Sequence, residues 1–510
     1  MSWEKEAGEI ARRRAAALSQ GGAEAVAAQH RAGRLTIRER IAGLADEGSF
    51  REFGRIAGTT EEDGGFSPAN YVVGFAEIGG RRVVLGGEDF TLKGGSPNPA
   101  GLRKSIFSED IALEAKVPLV RFLEGGGGSV RGASGKGSQG SAVNHPHRFS
   151  SIARVLAEVP VVSVAAGAVA GFPAARLVAS HFALMTRKAQ VMIAGPKIVA
   201  RAVGKELTKD ELGGPNVHAR SGVVDAVVEN EAEAFAAVRR FLSFLPGNVW
   251  EAPPVLPTDD APDRMEETLL AAVPRERRRA YDMRAILAAV LDKGSLFEMT
   301  AKFGRGQITA LARLAGRPVG VVANDCRFYA GAMTAEGAQK FRRFVDLCNT
   351  FRLPIVSFVD EPGFMIGPES EAAGTIRHGA AAIAAVVQSR VPWAAVMVRK
   401  SFGVAAAAHV GPGAYVLSWP SAESGPLPLE GGVAVAFAKE IAAAPDPEAR
   451  RRELEEMLAA RQSPFPAAEG FSVHDLIDPR ETRPALCDWL AGLGPRLALL
   501  GGPHLVPMRP

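Results

Sequence analysis

The chain has 510 residues, 47% of them apolar and 23% charged, with a net charge of +4. That is enough for two or three domains with sizeable cores. The charge surplus is small and forms no Lys/Arg block, so it does not argue for nucleic acid. Three scattered cysteines, Cys326, Cys348 and Cys487, with no CxxC pair, exclude a zinc ribbon and speak against a disulfide framework.

Residues 1–20 carry Glu4, Glu6 and Glu9 and lack the apolar core of a signal peptide. No run of 18 apolar residues predicts a membrane span. Reduced thiols and these absences predict a cytoplasmic protein. Next comes RERIAGLADEGSFRE at 38–52, then GRRVVLGGED at 80–89 and VPLVRFLE at 117–124. The last is a buried-strand run entered through proline, which is tolerated at a strand's first residue. It runs into a glycine loop, GGGGSVRGASGKGSQG, at 125–140. A second such strand, VPVVSVAAGAVAG at 159–171, runs into AGAVAGFPAAR at 166–176.

Residues 251–267 are rich in proline and acid and have no periodicity, so they read as a linker between 1–250 and 268–510. Beyond it the pattern repeats. Residues 38–52 recur as RAILAAVLDKGSLFE at 284–298, an offset of 246. At an offset of 236, 80–89 faces GRPVGVVAND (316–325), Lys104 faces Lys340, Asp110 faces Asp346, and 117–124 faces LPIVSFVD (353–360). At 232, 159–171 faces VPWAAVMVRKSFG (391–403). Strands alternating with Ala-rich helical segments, such as 377–390, predict two duplicated α/β domains.

The glycine loops sit where open α/β folds bind ligands, with free backbone N–H groups able to hold an oxyanion or a phosphate. The 125–140 loop is no Walker A motif, because Gly137 follows Lys136 and Val130 stands where the first glycine is needed. No GxSxG elbow occurs. His145 and His147 form an HxH pair whose plainer reading is structural, and no metal site is expected. Glycine loops without a nucleophile or metal cluster suit an enolate held by backbone donors, with a cofactor carrying the chemistry.

The most specific segments are Glu88-Asp89-Phe90-Thr91-Leu92-Lys93-Gly94-Gly95-Ser96, Gly195-Pro196, Glu211-Leu212-Gly213-Gly214, His218 with Ser221-Gly222, and VDEPGFMIGPESEAAGTIRHGA at 359–380. With these the chain resembles the carboxyltransferase (β) subunits of propionyl-CoA, methylcrotonyl-CoA and related biotin-dependent acyl-CoA carboxylases over nearly its whole length. The resemblance implies two crotonase-like β-β-α superhelix domains, with acyl-CoA on the N-terminal half and carboxybiotin on the C-terminal half. It also implies a homohexamer built as a trimer of head-to-tail dimers. The implied reaction transfers the carboxyl group of carboxybiotin to the α (or vinylogous γ) carbon of a CoA thioester through an enolate.

Matched to the family's motifs, one oxyanion hole falls on Gly171 and Phe172 and the other on Val404 and Ala405. Substrate-binding positions fall on Gly126, Gly127, Gly128, Ala170, Phe364, Gly403 and Ala407. Phe172 and Val404 stand where relatives have glycine, which narrows the permitted dihedrals and brings a bulky group to the site. Ala407 lies where relatives set acyl preference. The sequence has no Met-Lys-Met biotin acceptor and no ATP-grasp region, which predicts a separate biotinylated carrier or biotin carboxylase partner. The same motifs admit the α subunit of a biotin-dependent decarboxylase, a transcarboxylase subunit, or an inactive assembly subunit. A crotonase-type hydratase or hydrolase would need acid–base carboxylates, for which Glu124 and Glu361 are the candidates.

Overall fold

The computed structural model describes residues 2–96, 98–126, 149–461 and 463–510. They form two compact units, Met1–Glu251 together with Gly502–Pro510, and Ala252–Gly501.

In the first unit the strands are β1 (Arg51–Glu52), β2 (Gly58–Thr60), β3 (Phe66–Pro68), β4 (Tyr71–Ile78), β5 (Arg81–Glu88), β6 (Leu119–Gly125), β7 (Val161–Ala170), β8 (Phe182–Thr186), β9 (Gln190–Met192) and β10 (Ala226–Val228). In the second they are β11 (Phe297–Met299), β12 (Gln307–Leu314), β13 (Arg317–Asn324), β14 (Ile355–Glu361), β15 (Trp393–Phe402), β16 (Tyr415–Ser418), β17 (Glu423–Gly425) and β18 (Asp475–Leu476). The sheet orders correspond strand for strand: β1-β4-β5-β6-β7-β8-β10 with β9 on β7, and β11-β12-β13-β14-β15-β16-β18 with β17 on β15. In each sheet the first three strands pair antiparallel and the rest parallel.

The offsets read in the sequence reappear as register. Val84 pairs with Leu119, and Gly320 with Ile355. Leu119 pairs with Val161, and Ile355 with Trp393. Even the irregularity at Leu123/Gly125 returns at Val359/Glu361. A one-residue slip would turn every side chain to the wrong face, so register resists change where both faces are buried. Every residue of β6 and of β14 is buried, as expected for parallel strands covered on both sides.

The crossover helices start alike. Asn98 caps Pro99–Ala115 by accepting from Gly101 N at 2.6 Å, and Thr334 caps Ala335–Thr350 by accepting from Gly337 N at 3.0 Å. Asp46 accepts from the N–H groups of Gly79 and Gly80, and Asp292 from those of Ala315 and Gly316. The paired ends Arg38–Glu52 and Arg284–Glu298 both close as ion pairs.

Residues 252–266 form neither helix nor strand, yet they are tied down along their length. Arg483 donates to the carbonyls of Asp260 and Ala261, Arg313 to Pro254 O, and Leu256 N to Gly316 O. No helix among the described residues is long and apolar enough to cross a membrane.

Candidate active site

Each sheet brings its long parallel strand to a glycine that turns sharply into a short helix. In the first unit β7 ends at Gly171, with φ 66° and ψ −129°, and helix Phe172–Val178 follows. In the second, β15 ends at Gly403, with φ 63° and ψ −162°, and the 3-10 helix Val404–His409 follows. Positive φ with so extended a ψ is essentially confined to glycine, so both positions are fixed by backbone need.

The two turns present different donors. The Gly171 N–H spans 3.3 Å to Met192 O, and the Gly403 N–H spans 3.1 Å to Gly425 O. Each glycine therefore ties its turn to the adjoining short strand, β9 or β17. The next N–H groups, of Phe172 and Val404, begin their helices and have no intrahelical acceptor. Ala405 adds a second such N–H, whereas the corresponding residue in the first unit is Pro173, which has none.

Phe172 is half-buried and packs on the core cluster of its own unit. Its ring lies 5.9 Å from Phe149, edge to face, and 5.5 Å below the Arg176 guanidinium. Its bulk is thus taken up by the core behind the turn. Val404 is 66% exposed while Ala405 is fully buried. Gly403 and Ala407 are exposed and Ala170 is buried. Phe364 is half-buried, its backbone bridged to Met333 and its ring against Gly379, where a Cβ would come within 2.2 Å of it. Gly126 is exposed, and Gly127, Gly128, His145 and His147 lie outside the described residues.

Behind the first turn lies a buried ionic cluster. Glu109 accepts from Arg121 Nη1 at 2.8 Å, from Arg176 Nη2 at 2.7 Å and Nε at 3.0 Å, and from Ser151 Oγ. Arg121 in turn donates to the carbonyls of Arg176 and Ala179. Burial pulls the Arg176 guanidinium down, but Glu109 and its neighbours carry it above its ordinary value. Arg121 is pushed down, by burial first and by Arg176 next. Glu88, close by, is pushed up by burial.

Behind the second turn Asp360, fully buried, accepts from Arg399 Nε at 3.1 Å and Nη2 at 2.9 Å, from Lys400 N at 3.0 Å and from Tyr281 Oη at 3.0 Å. It pins β15 at Lys400, three residues before the glycine. Burial, then the Asp360 charge, raise the Tyr281 phenol well above its usual range.

The two carboxylates considered for acid–base work are both fully buried. Glu124 accepts from Arg40 Nη1 at 2.7 Å and Gln29 Nε2 at 2.8 Å. Glu361 accepts from Asn324 Nδ2 at 2.9 Å, Gln307 Nε2 at 3.3 Å and two backbone N–H groups. Glu361 is thus held as a structural acceptor, while Glu124 has its Oε2 taken by Arg40 and Gln29 and its Oε1 3.3 Å from Arg34 Nη1 in an ion pair. No cluster of three or more metal-type ligands occurs among the described residues.

Duplicated α/β units, each ending its long strand in a glycine turn with open N–H groups, define a protein of the crotonase-like class. Comparison with known proteins carries this further. Residues 28–492 match the carboxyl transferase domain family. The carboxyltransferase subunit of propionyl-CoA carboxylase from Haloferax mediterranei is 35% identical over 496 residues, covering 95% of each chain. The methylmalonyl-CoA carboxyltransferase 12S subunit of Propionibacterium freudenreichii subsp. shermanii is 36% identical, covering 93% of this chain and 91% of that one. A crystal structure of the transcarboxylase 12S hexamer with methylmalonyl-coenzyme A bound matches with a TM-score of 0.88 at 31% identity, covering 100% of this chain and 97% of that one. The chain belongs to the carboxyl transferase family, that of the carboxyltransferase components of acyl-CoA carboxylases.

The ionic cluster of Glu109, Arg121 and Arg176 and the buried His409 were not singled out from sequence. An arginine in the middle of the apolar run VPLVRFLE was the one available signal for the first. Nothing in the sequence pointed to the second.

Proposed function

We propose that the chain is the carboxyltransferase component of a biotin-dependent acyl-CoA carboxylase, with acyl-CoA on the first unit and carboxybiotin on the second. The observation that carries this is the pair of uncommitted N–H groups on Val404 and Ala405, matched at the same place in the other unit by Phe172 N–H. Donors fixed in advance at the point where negative charge develops need no reorganisation, and each is worth roughly 2.7–4 kcal/mol of barrier. In this reading Val404 and Ala405 hold the biotin ureido oxygen, and Phe172 holds the thioester oxygen as it becomes an enolate. Gly171 contributes the turn rather than a free donor, because its N–H is engaged by Met192.

Two adjacent backbone donors suit the single ureido oxygen of a biotin ring. Carboxybiotin supplies the carboxyl group and, once that is lost, a nitrogen basic enough to take the α-proton. The chain's own part is then to bind, to orient and to exclude water. Gly126, Gly127, Gly128, Ala170, Phe364, Gly403 and Ala407 would line the substrates, with Ala407 bearing on acyl size.

The known 12S hexamer supports a homohexamer for this chain. The biotin would come on a separate carrier or biotin carboxylase subunit, in the cytoplasm. A second reading, a transcarboxylase subunit, is favoured by the likeness to the 12S subunit.

The first test is decarboxylation of malonyl-, methylmalonyl- and methylglutaconyl-CoA by the purified chain, with and without free biotin. Biotin-dependent loss of CO2 from one of them is expected and would name the acyl class. Turnover that ignores biotin would overturn the reading in favour of a crotonase-type hydrolase. A pull-down that brings down a biotin carboxylase would separate carboxylase from transcarboxylase.

A further inference from the structure

The 3-10 helix that presents Val404 and Ala405 ends at His409, whose side chain is completely buried. Its Nε2 lies 3.2 Å from Glu361 Oε2 and its Nδ1 lies 3.1 Å from Ser357 Oγ. Its carbonyl accepts from Trp393 Nε1 at 2.9 Å, and its ring stands edge to face with Phe341 at 5.1 Å. Both ring nitrogens and the carbonyl of the residue at the foot of the donor turn are thus tied to the sheet beneath.

Glu361 is the hub of this arrangement. Besides His409 it accepts from Gln307 at the start of β12, Asn324 at the end of β13, Met333 N and Gly363 N. A carboxylate accepts at both oxygens, so His409 Nε2 carries the hydrogen that faces Glu361, and Nδ1 pairs with Ser357 Oγ. One carboxylate therefore ties the donor turn to the loop that starts at Gly363 and bears Phe364. In the first unit the residues at the same two places are Leu177 and Gly125, so this link exists on one side only.

We propose that His409 and Glu361 are positioning residues for the second oxyanion hole, holding the Val404 and Ala405 donors in register with the Phe364 loop. The inference rests on the proposed carboxyltransferase reading and adds to it the groups that set the biotin-side geometry. Neither residue touches a substrate. Their effect is on where two backbone N–H groups point, and a misplacement of about 1 Å there can cost on the order of 100-fold in rate.

The experiment compares the full chain with His409→Leu, Glu361→Gln, the double variant and His409→Gln in biotin-dependent decarboxylation of the CoA thioester that the wild type accepts. The KM for acyl-CoA, the KM for free biotin and kcat are read separately, alongside thermal stability. His409→Leu and Glu361→Gln are each expected to lose roughly 30- to 100-fold in kcat, with the acyl-CoA KM within about 2-fold of wild type. His409→Gln keeps an N–H for Glu361 and should recover most of the rate. If the pair acts as one unit, the double variant should lose no more kcat than either His409→Leu or Glu361→Gln alone.

A His409→Leu chain with wild-type kcat overturns the inference. So does a double variant that recovers rate together with stability, which would make the pair merely a stabilising contact. A wild type without biotin-dependent turnover overturns the functional reading itself, and this inference with it. A wild type that turns over while the variants match it removes the inference alone.

Discussion

The two units are copies in register, yet they brace their glycine turns with different chemistry. In the first, Glu109, Arg121 and Arg176 form a buried ionic cluster under the turn. The corresponding positions in the second are Val345, Ser357 and Ala408, so the cluster has no counterpart there. The second unit uses His409 and Glu361 instead, where the first has Leu177 and Gly125. The backbone turn is common to both units, each long strand ending in a positive-φ glycine before a short helix. The polar support beneath it was free to change, since any satisfied network that fixes the helix start will serve.

The largest effect that would sharpen this contrast is on stability. Glu109→Gln leaves two buried guanidinium groups without their carboxylate, and should cost about 3–5 kcal/mol in chemical denaturation of the first unit. Val345 is the natural control, since the second unit lives without an acid there. A loss below about 1 kcal/mol would mean that the cluster's backbone carbonyl acceptors suffice.

Next is the donor difference. Ala405→Pro gives the second turn the residue that the first already carries at Pro173. It removes one N–H while keeping a fold the first unit tolerates. The expected loss is about 2.7–4 kcal/mol of barrier, on the order of 100- to 1,000-fold in kcat. Unchanged biotin-dependent turnover would show that Val404 alone carries the load, making the two turns equivalent.

Smaller still is the strain of the turn itself. Gly403→Ala places a Cβ at φ 63°, where it also meets Pro426 O at 3.4 Å. About 1–3 kcal/mol of destabilisation is expected, visible as a lower Tm.

The smallest effect is electrostatic. Burial raises the folded-state pKa of Glu88 above its unfolded value, despite the opposing pull of Arg176. A raised carboxyl favours folding at low pH, and that contribution is lost as pH rises through the folded pKa. Glu88→Gln should therefore gain in Tm relative to wild type as pH rises from 4 to 8. A difference that is flat with pH would mean that folding leaves the Glu88 pKa where it stands in the unfolded chain.

The fold was legible in the sequence because duplication writes itself as constant offsets. The offsets of 236 and 232 name the paired residues Val84/Gly320 and Val161/Trp393 without any structure. The glycine turns were legible for the same reason, through Gly171 and Gly403. What could not be read was the support beneath them. His409 and Glu361 are 48 residues apart, and Glu109 and Arg176 are 67 apart. Such pairs meet only once the strands are assembled, and they leave no periodic trace. The engagement of the Gly171 N–H was hidden likewise, because it depends on β9 pairing beside β7.

The antiparallel hairpin of β2 and β3 has a history of its own. The offset falls from 246 at Glu52 to 236 at Gly74, so ten residues between these points belong to one copy alone. They are the stretch that holds this hairpin, and Phe66 on it receives the Arg13 guanidinium of the N-terminal helix Glu4–Leu18 at 5.0 Å. The ten extra residues thus form a small hairpin of their own and leave the register of the main sheet intact on either side. The same spot is where a protein engineer should splice an affinity tag or trim the chain, since one half of the molecule already does without it.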